Sequence, residues 1–135
     1  MTTKIRYKQI VITELPNRTC IFHLAESNFR AEELYVMGIA QFVEYAEYFM
    51  PLYVIIDRTG VNYEVPDILI DYVKKVGFSN LRRIGVNKVF QITRYQNGKI
   101  IPSIKIPEIT NFFEIDVCLK YIDENLHSIN MKNPR

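Results

Sequence analysis

The sequence predicts a single-domain α/β fold: a mixed sheet of four or five strands, an N-terminal antiparallel hairpin and three helices. The five residues before Asp57, Leu52–Ile56, are uncharged and mostly β-branched or aromatic, which is typical of a strand buried on both faces inside a parallel sheet. Amphipathic helical patterns precede and follow that stretch. Two β-rich runs near the N-terminus are separated by turn residues, which predicts the hairpin.

Length and composition fit one folded domain. The chain has 135 residues, of which 48% are hydrophobic and 24% charged, close to the averages for soluble globular proteins. Such a length buries one core but not two comfortable ones. We therefore expect one domain over residues 1–135, ordered from about residue 4 to residue 127, with a polar C-terminal tail, 128–135, that frays.

Charge and hydropathy exclude two classes of partner. The formal net charge is only +2, from 17 basic and 15 acidic residues, whereas nucleic-acid binders concentrate positive charge on one face. No stretch approaches the roughly 20 apolar residues of a transmembrane helix, and the N-terminus lacks the apolar core of a signal peptide. We expect no nucleic-acid partner, no transmembrane segment and a cytoplasmic location.

The N-terminal half predicts a hairpin followed by a long helix. Ile5–Thr13 and Thr19–Leu24 form the hairpin strands, with Pro16 and Asn17 in the turn. Apolar residues then recur every three or four positions over Arg30–Phe49, which predicts an amphipathic helix. Pro51 cannot continue this helix because it lacks an amide hydrogen, so the chain enters the Leu52 strand directly.

The next stretch predicts a second helix and a further strand. Pro66 suits the first turn of a helix, and Gly77 suits the left-handed residue that commonly ends one. The strand follows at Leu81–Thr93. Its more polar alternation indicates a position nearer the edge of the sheet.

The C-terminal part predicts a tight turn and a third helix. The Asn97–Gly98 pair is a strong turn signal, and the prolines of IIPSIKIP after it fit an edge strand or an extended loop. The last helix starts near Asn111. Its packed face comprises Ile115, Cys118, Leu119, Ile122 and Leu126. Strand-helix-strand crossovers are expected to be right-handed.

This order of elements, together with VIIDRTGV, NLRRIGVNKVF and FFEIDVCLKYI, resembles the STAS-like domains related to anti-sigma-factor antagonists, and more narrowly the bacterial stand-alone group. The likeness covers roughly Ile10 to Leu126 and consists of patterns of apolar residues. It implies a small non-enzymatic module that binds protein partners or, in some relatives, nucleotides or lipids.

This sequence differs from the classical antagonists at the phosphorylation site. In those proteins the central strand ends in an aspartate, which Asp57 matches, and a phosphorylatable serine follows at the next helix start. Here the corresponding stretch, Glu64–Asp67, contains neither serine nor threonine. The resemblance therefore implies a module without the classical phosphoacceptor serine. Thr59 lies at a different position and would be only a displaced substitute for that serine.

The carboxyl end of the central strand is the predicted functional rim, because open α/β sheets bind ligands beyond the carboxyl ends of their strands. The candidate rim for a partner or ligand consists of Asp57, Arg58, Thr59, Gly60, Tyr63 and Asp67. A separate candidate interface is formed by Tyr45 and Tyr48, which fall off the apolar stripe of the long helix. Exposed tyrosines favour interfaces, here with a partner protein or a second copy of the chain.

Catalytic, metal and cofactor sites are not predicted. Cys20 and His23 point to opposite faces of a strand, and Cys118 and His127 to opposite sides of a helix, so neither pair predicts a metal site. Both cysteines are interpreted as structural. No nucleophile elbow, phosphate-binding loop or dinucleotide fingerprint is present.

Two carboxylates at the rim leave an enzymatic alternative open. Asp57 and Asp67 could converge as an acid and a base or as a magnesium site. The favoured interpretation is structural, with Asp67 at the positive end of a helix dipole and Asp57 bonded to the amides of the following turn.

The leading hypothesis is a non-enzymatic STAS-like regulatory or binding module that acts through protein contact near Asp57–Asp67. The alternative is a carrier of a small apolar ligand or lipid, which an apolar cavity of several hundred cubic ångströms would favour. An enzyme using Asp57 is the third hypothesis, and two buried carboxylates with raised pKa values would favour it.

Overall fold

The computed structural model describes residues 3–7, 10–24, 32–59, 67–96, 99–101 and 109–127. The strands in these ranges are β1 (Thr3–Tyr7), β2 (Ile10–Leu15), β3 (Thr19–Leu24), β4 (Tyr53–Asp57), β5 (Lys88–Ile92), β6 (Arg94–Gln96), β7 (Lys99–Ile101) and β8 (Ile109–Phe112). The α-helices are α1 (Glu32–Phe49), α2 (Asp67–Tyr72), α3 (Ser79–Ile84) and α4 (Ile115–Tyr121). A π-helical segment, Val73–Phe78, joins α2 to α3, and a second, Ile122–His127, continues α4.

Within the described ranges, the main sheet has six strands in the order β1-β2-β3-β4-β5-β8. The pairs β1/β2 and β2/β3 are antiparallel, and the pairs β3/β4, β4/β5 and β5/β8 are parallel. Strands β6 and β7 form a separate antiparallel pair. The predicted α/β class, mixed sheet and N-terminal hairpin are confirmed, and the helices of the described residues fall into three runs, 32–49, 67–84 and 115–127.

Strand β4 is the buried parallel strand that the sequence predicted. It lies between β3 and β5, parallel to both. Tyr53, Val54 and Ile55 are completely buried. Val54 packs on one face of the sheet, and Tyr53 and Ile55 pack on the other.

Two apolar clusters sandwich the sheet. On the first side, here called the α1 face, the cluster joins sheet residues to α1 and to the helical run 67–84. Its members include Ile12, Cys20, Phe22, Phe42, Tyr45, Ala46, Val54, Val73, Phe78, Leu81, Val89 and Ile109. On the other side, here called the α4 face, Ile21, Tyr53, Ile55, Phe90 and Ile92 pack against Cys118 and Ile122. Alternating strand residues therefore point to opposite helical layers.

The first β-rich run is two strands rather than one, which gives the sheet one strand more than expected. The stretch Ile5–Thr13 turns back on itself, so that Tyr7 pairs with Ile10 and Ile5 with Ile12. Lys8 and Gln9, which connect the two strands, lie outside the described residues. Neither is a turn-forming residue type, so the sequence pattern carried no sign of the reversal.

The prediction that Gly77 ends the second helix is wrong. The helical run continues through Gly77 to Ile84, and Gly85 ends it, with φ +111° and an amide that donates to the carbonyls of Leu81 and Arg82. The stretch from Leu81 to Ile84, predicted as the start of a strand, is therefore helical. The physical reason is tertiary: Leu81 is buried in the cluster of the α1 face.

The placement of the next strands also differs from expectation. Strand β5 is not near an edge, since it lies between β4 and β8, and residues 89–93 are buried. In the described part of the sheet, the strand at the edge beyond β5 is β8. It occupies the position where the last helix was predicted to begin, near Asn111, and the helix starts instead at Ile115. In the β6/β7 hairpin Gln96 pairs with Lys99, while Asn97, Gly98 and residues 102–108 lie outside the described ranges, as does the tail 128–135.

Candidate functional site

The parallel pairing of β3 with β4 places His23 directly beside Asp57, where both strands end. His23 Nδ1 lies 3.0 Å from Asp57 Oδ2. The side chain of His23 is 30% exposed and that of Asp57 is 15% exposed. A partly exposed carboxylate–imidazole pair therefore forms at the predicted carboxyl edge.

The second oxygen of Asp57 is held by Thr59. The Thr59 amide donates to Asp57 Oδ1 at 3.1 Å, and the Thr59 hydroxyl donates to the same atom at 2.7 Å. Such local bonds stabilise a turn that follows an aspartate. The predicted structural role of Asp57 in the turn is confirmed.

The imidazole of His23 extends the network to a third strand. Its Nε2 lies 3.1 Å from the hydroxyl of Thr13, a residue of β2 that is 7% exposed. If Nδ1 carries the proton that Asp57 accepts, Nε2 is the acceptor for the Thr13 hydroxyl. The four residues Thr13, His23, Asp57 and Thr59 are called the Asp57 network below.

The environment of Asp57 keeps it ionised. Burial by itself would raise the pKa of Asp57, but the hydrogen bonds from His23 and from the Thr59 hydroxyl and amide outweigh burial, and the pKa lies below its ordinary value. A carboxylate whose charged form accepts several hydrogen bonds is a weak base. Asp57 therefore lacks the raised pKa expected of a general acid.

The other rim candidates do not all lie on the rim. Arg58 is 1% exposed, so it belongs to the interior. Asp67 is exposed at the start of α2, and Asp57 makes its hydrogen bonds with His23 and Thr59 rather than with Asp67. Gly60 and Tyr63 lie outside the described residues. The described rim thus consists of His23, Asp57, Thr59 and Asp67, and this set is called the carboxyl rim.

The structure separates the two interface tyrosines. Tyr48 is 86% exposed, as expected. The prediction for Tyr45 is wrong: it is 4% exposed, packs in the cluster of the α1 face, and donates a hydrogen bond to Glu14. The apolar face of α1 is wide enough to include Tyr45, because α1 packs on the sheet, where Phe42 contacts Phe22, and also on the helical run 67–84.

The two cysteines are buried free thiols on opposite faces of the sheet. Burial and the charge of Glu14 raise the pKa of Cys20 to about 12, and burial raises the pKa of Cys118 to about 12. Reactive cysteines have the opposite environment, exposed and electropositive. Among the described residues, no group of three or more histidine, cysteine, aspartate or glutamate side chains could hold a metal ion.

An open pocket of about 250 Å³ lies at the amino end of β5, the opposite end of the parallel strands from the carboxyl rim. Its lining combines apolar and polar side chains, from Phe78, Leu81, Arg82, Val86, Asn87, Lys88 and Val89. A carrier of an apolar ligand needs an enclosed apolar cavity. This pocket is neither enclosed nor apolar, so it gives the carrier hypothesis no support.

The part of the site that sequence reasoning missed is His23. From the sequence, His23 has a chemical partner only in Cys20, three residues earlier on the same strand, and that pair does not predict a metal site. Aligning TCIFHL with YVIID as adjacent parallel strands places His23 opposite Asp57. That alignment requires knowing which strands are neighbours, which the sequence pattern does not state.

No family model, curated protein or solved structure matches this chain. Within the described residues, no helix combines the length and the apolar character needed to cross a membrane.

Proposed function

We propose that this protein is a non-enzymatic STAS-like regulatory or binding module of the cytoplasm, which contacts a partner protein through the carboxyl rim. The observation that carries the proposal is the Asp57 network. It fixes a partly exposed carboxylate and imidazole at the end of the central strand, where α/β sheets bind their ligands.

The state of Asp57 supports binding rather than catalysis. Both of its oxygens are occupied by hydrogen bonds, and its lowered pKa keeps it charged at neutral pH. A charged group whose geometry is already fixed loses little conformational entropy when a partner binds. It also makes a poor proton donor, which argues against an acid–base enzyme that uses Asp57.

The chemistry of the cysteines supports the same conclusion. Cys20 and Cys118 are buried, and their pKa values of about 12 leave almost no thiolate at neutral pH. Neither is suited to nucleophilic catalysis. The module is therefore proposed to act through its surface.

The first experiment locates the contact by photo-crosslinking. A benzoylphenylalanine at the exposed position Asp67, on the rim, is expected to give a discrete crosslinked product with a partner in cells. The matched control places the same group at the exposed position Asn87, which lies at the amino end of β5, away from the carboxyl rim. Equal products from both positions, or none from Asp67, would contradict the proposed surface.

The second experiment measures the affinity of the crosslinked partner for Asp57→Ala. Loss of the carboxylate at the rim is expected to weaken binding by about tenfold or more, the typical effect of removing a charged contact at an interface. Asp123→Ala is the control, because it removes an exposed carboxylate that bonds to Asn17 in the turn between β2 and β3. Circular dichroism checks that both variants fold, and unchanged affinity of a folded Asp57→Ala variant would refute the rim.

Tyr48 offers a separate surface for a homodimer or a further partner. It lies near the C-terminal end of α1, and the carboxyl rim lies beyond the end of β4. Sedimentation of Tyr48→Ser beside the parent protein distinguishes the two surfaces, because a dimer through Tyr48 would be weakened while rim binding stays unchanged.

A further inference from the structure

The pocket of about 250 Å³ opens beside the turn that leads from α3 into β5. Its floor is apolar: Phe78, Leu81 and Val89 are 8%, 4% and 6% exposed, and all three belong to the cluster of the α1 face. Val86 also lines the pocket and packs against that cluster. An apolar group that enters the pocket therefore leaves water for contact with the edge of the hydrophobic core.

Two cationic side chains line the same pocket. Arg82 lies in the last turn of α3, Lys88 is the first residue of β5, and both are exposed. Asn87 adds an exposed amide side chain to the lining. Among the described residues that line the pocket, none is acidic. The pocket therefore combines an apolar floor with two positive charges.

The fold does not use these two charges in its own ion pairs. The neighbouring Arg83 donates to Glu47 Oε1 of α1 at 2.7 Å, whereas the salt bridges between described residues include neither Arg82 nor Lys88. Two cations that line one concave site, with no counter-charge in its lining, create a positive potential there. That potential favours a ligand that carries an anionic group.

Hydrogen bonds fix the backbone that carries these side chains. Gly85, with φ +111°, ends α3. Its amide and that of Val86 donate to the Leu81 carbonyl at 3.2 and 3.0 Å. On the side of β5, the Asn87 amide donates to the Leu52 carbonyl at 2.7 Å. A pocket whose walls are already held in place loses little conformational entropy when a ligand enters it.

We infer that this pocket binds a small amphipathic anion, with an apolar ring on the floor and a carboxylate or phosphate group beside Arg82 and Lys88. A guanidinium binds such oxyanions through two parallel N–H groups, and an ammonium group adds a point charge. The size follows from the volume, since a cavity of about 150 Å³ already holds one benzene molecule. The site is independent of the carboxyl rim, which lies at the opposite end of the parallel strands and shares no residue with it.

The test is an NMR titration of the nitrogen-15-labelled protein with two probes, phenyl phosphate and phenylacetate. Saturable binding is expected for at least one of them, with shifts of the amide signals of Val86 and Asn87 in the turn. The amide signals of His23 and Asp57, at the carboxyl rim, are expected to stay in place. The absence of saturable binding for both probes would overturn the proposal, and so would binding that shifts the rim signals instead.

Matched compounds separate the contributions of the ring and the charge. Phenol and phenylacetamide keep the ring and remove the charge, whereas inorganic phosphate and acetate keep the charge and remove the ring. Each is expected to bind at least about fivefold more weakly than the probe it matches. A neutral compound that binds as tightly as its probe would show that the cations contribute nothing, and an ion that does so would show the same of the floor. Either result would refute an amphipathic site.

Variants of the two cations test their assigned role. Arg82→Gln and Lys88→Gln are each expected to weaken binding of the probe by about fivefold. The matched controls are Arg83→Gln, which removes the guanidinium that pairs with Glu47, and Lys120→Gln, which removes an exposed lysine of α4. All four variants lose one positive charge, but the controls are expected to bind the probe as the parent does. Circular dichroism checks folding, and unchanged affinity in either folded pocket variant, or an equal loss in the controls, would overturn the proposal.

Discussion

His23 and Asp57 lie on neighbouring parallel strands at matching positions, and Nδ1 of the imidazole is 3.0 Å from Oδ2 of the carboxylate. The pair links the hydroxyl of Thr13 on β2 to the turn that follows β4. Side chains at the carboxyl ends of β3 and β4 thus link three strands and a turn. The contribution of these hydrogen bonds to the stability of the fold is expected to depend on the charge of Asp57.

Asp57 is predicted to make stability depend on pH in the acid range. The folded state lowers the pKa of Asp57, so it binds fewer protons than the unfolded state does. The contribution of Asp57 is therefore fully present above the ordinary pKa of an aspartate, about 4, and is lost as the pH falls through the lower pKa of the folded state.

The measurement is urea unfolding of the parent protein and of Asp57→Asn from neutral pH into acid. The variant is expected to be less stable by about 1–3 kcal/mol near neutral pH, the usual value of hydrogen bonds to a charged group. This difference should shrink in acid. Asp123→Asn serves as the control on an exposed carboxylate, and a difference for Asp57→Asn that persists unchanged in acid would contradict the assigned role.

The neutral form of His23 is predicted to be the tautomer protonated at Nδ1. The ionised carboxylate of Asp57 can only accept a hydrogen bond, so Nδ1, 3.0 Å away, carries the proton, and Nε2 then accepts from the hydroxyl of Thr13 at 3.1 Å. Nitrogen-15 chemical shifts of the ring distinguish the two tautomers directly. Thr13→Val is expected to alter the shift of Nε2 and to cost about 1 kcal/mol of stability, whereas a ring protonated at Nε2 in the parent would contradict the network.

The two tyrosines of α1 are predicted to respond differently to loss of the hydroxyl group. Tyr45 is buried and donates to Glu14, so Tyr45→Phe is expected to destabilise the fold by about 1–2 kcal/mol because Glu14 loses its partner. Tyr48 is 86% exposed, and Tyr48→Phe is expected to change stability by less than about 0.5 kcal/mol. Chemical denaturation of the two variants checks this contrast, and equal effects would contradict the packing of α1.

Gly77 and Gly85 are predicted to have opposite tolerance to alanine. Gly85 has φ +111°, a conformation in which a β-carbon is strained, so Gly85→Ala should destabilise by about 1–2 kcal/mol. At Gly77 a β-carbon would meet Ile39 at 3.5 Å and Val73 at 3.9 Å, which are ordinary contacts. Gly77→Ala is therefore expected to stabilise the helical run by about 0.5–1 kcal/mol. Thermal unfolding of both variants tests where the helix ends, and destabilisation by Gly77→Ala would contradict the continuous run.

The thiols of Cys20 and Cys118 are predicted to be inert in the folded protein. Burial raises the pKa of each to about 12, so little thiolate exists at pH 8. Because both thiols are buried, a thiol reagent is expected to reach them only when the protein unfolds. Ellman's reagent is expected to label neither thiol in native buffer and both in denaturant. Rapid labelling of one thiol in the native protein would show that its burial has been misassigned.

Local chemistry determined the parts of this fold that depend on neighbouring residues. Leu52–Asp57 contains no charge before its last residue, and such a run is stable only between two apolar layers. Pro51 stops α1, and Pro16 and Asn17 turn the hairpin. The role of Asp57 in its turn also follows from sequence, because its partner Thr59 is only two residues away.

Features that depend on distant residues were decided by the tertiary structure. Leu81–Ile84 has the pattern of a strand, but it is helical because the helical conformation buries Leu81 in the cluster of the α1 face. Gly77 packs near Ile39 inside the helical run instead of ending it. Tyr45 lies in the core because Glu14, on β2, provides a partner for its hydroxyl.

The same division applies to the candidate site. The sequence by itself determined that a buried strand ends at Asp57, because burial and turn formation are properties of a short segment. Only the order of the strands decided that His23 is the partner of Asp57 and that Arg58 lies inside, next to Thr93. Hydrogen bonds between strands join residues that are far apart in sequence, and periodicity along one segment carries no information about which other segment lies beside it.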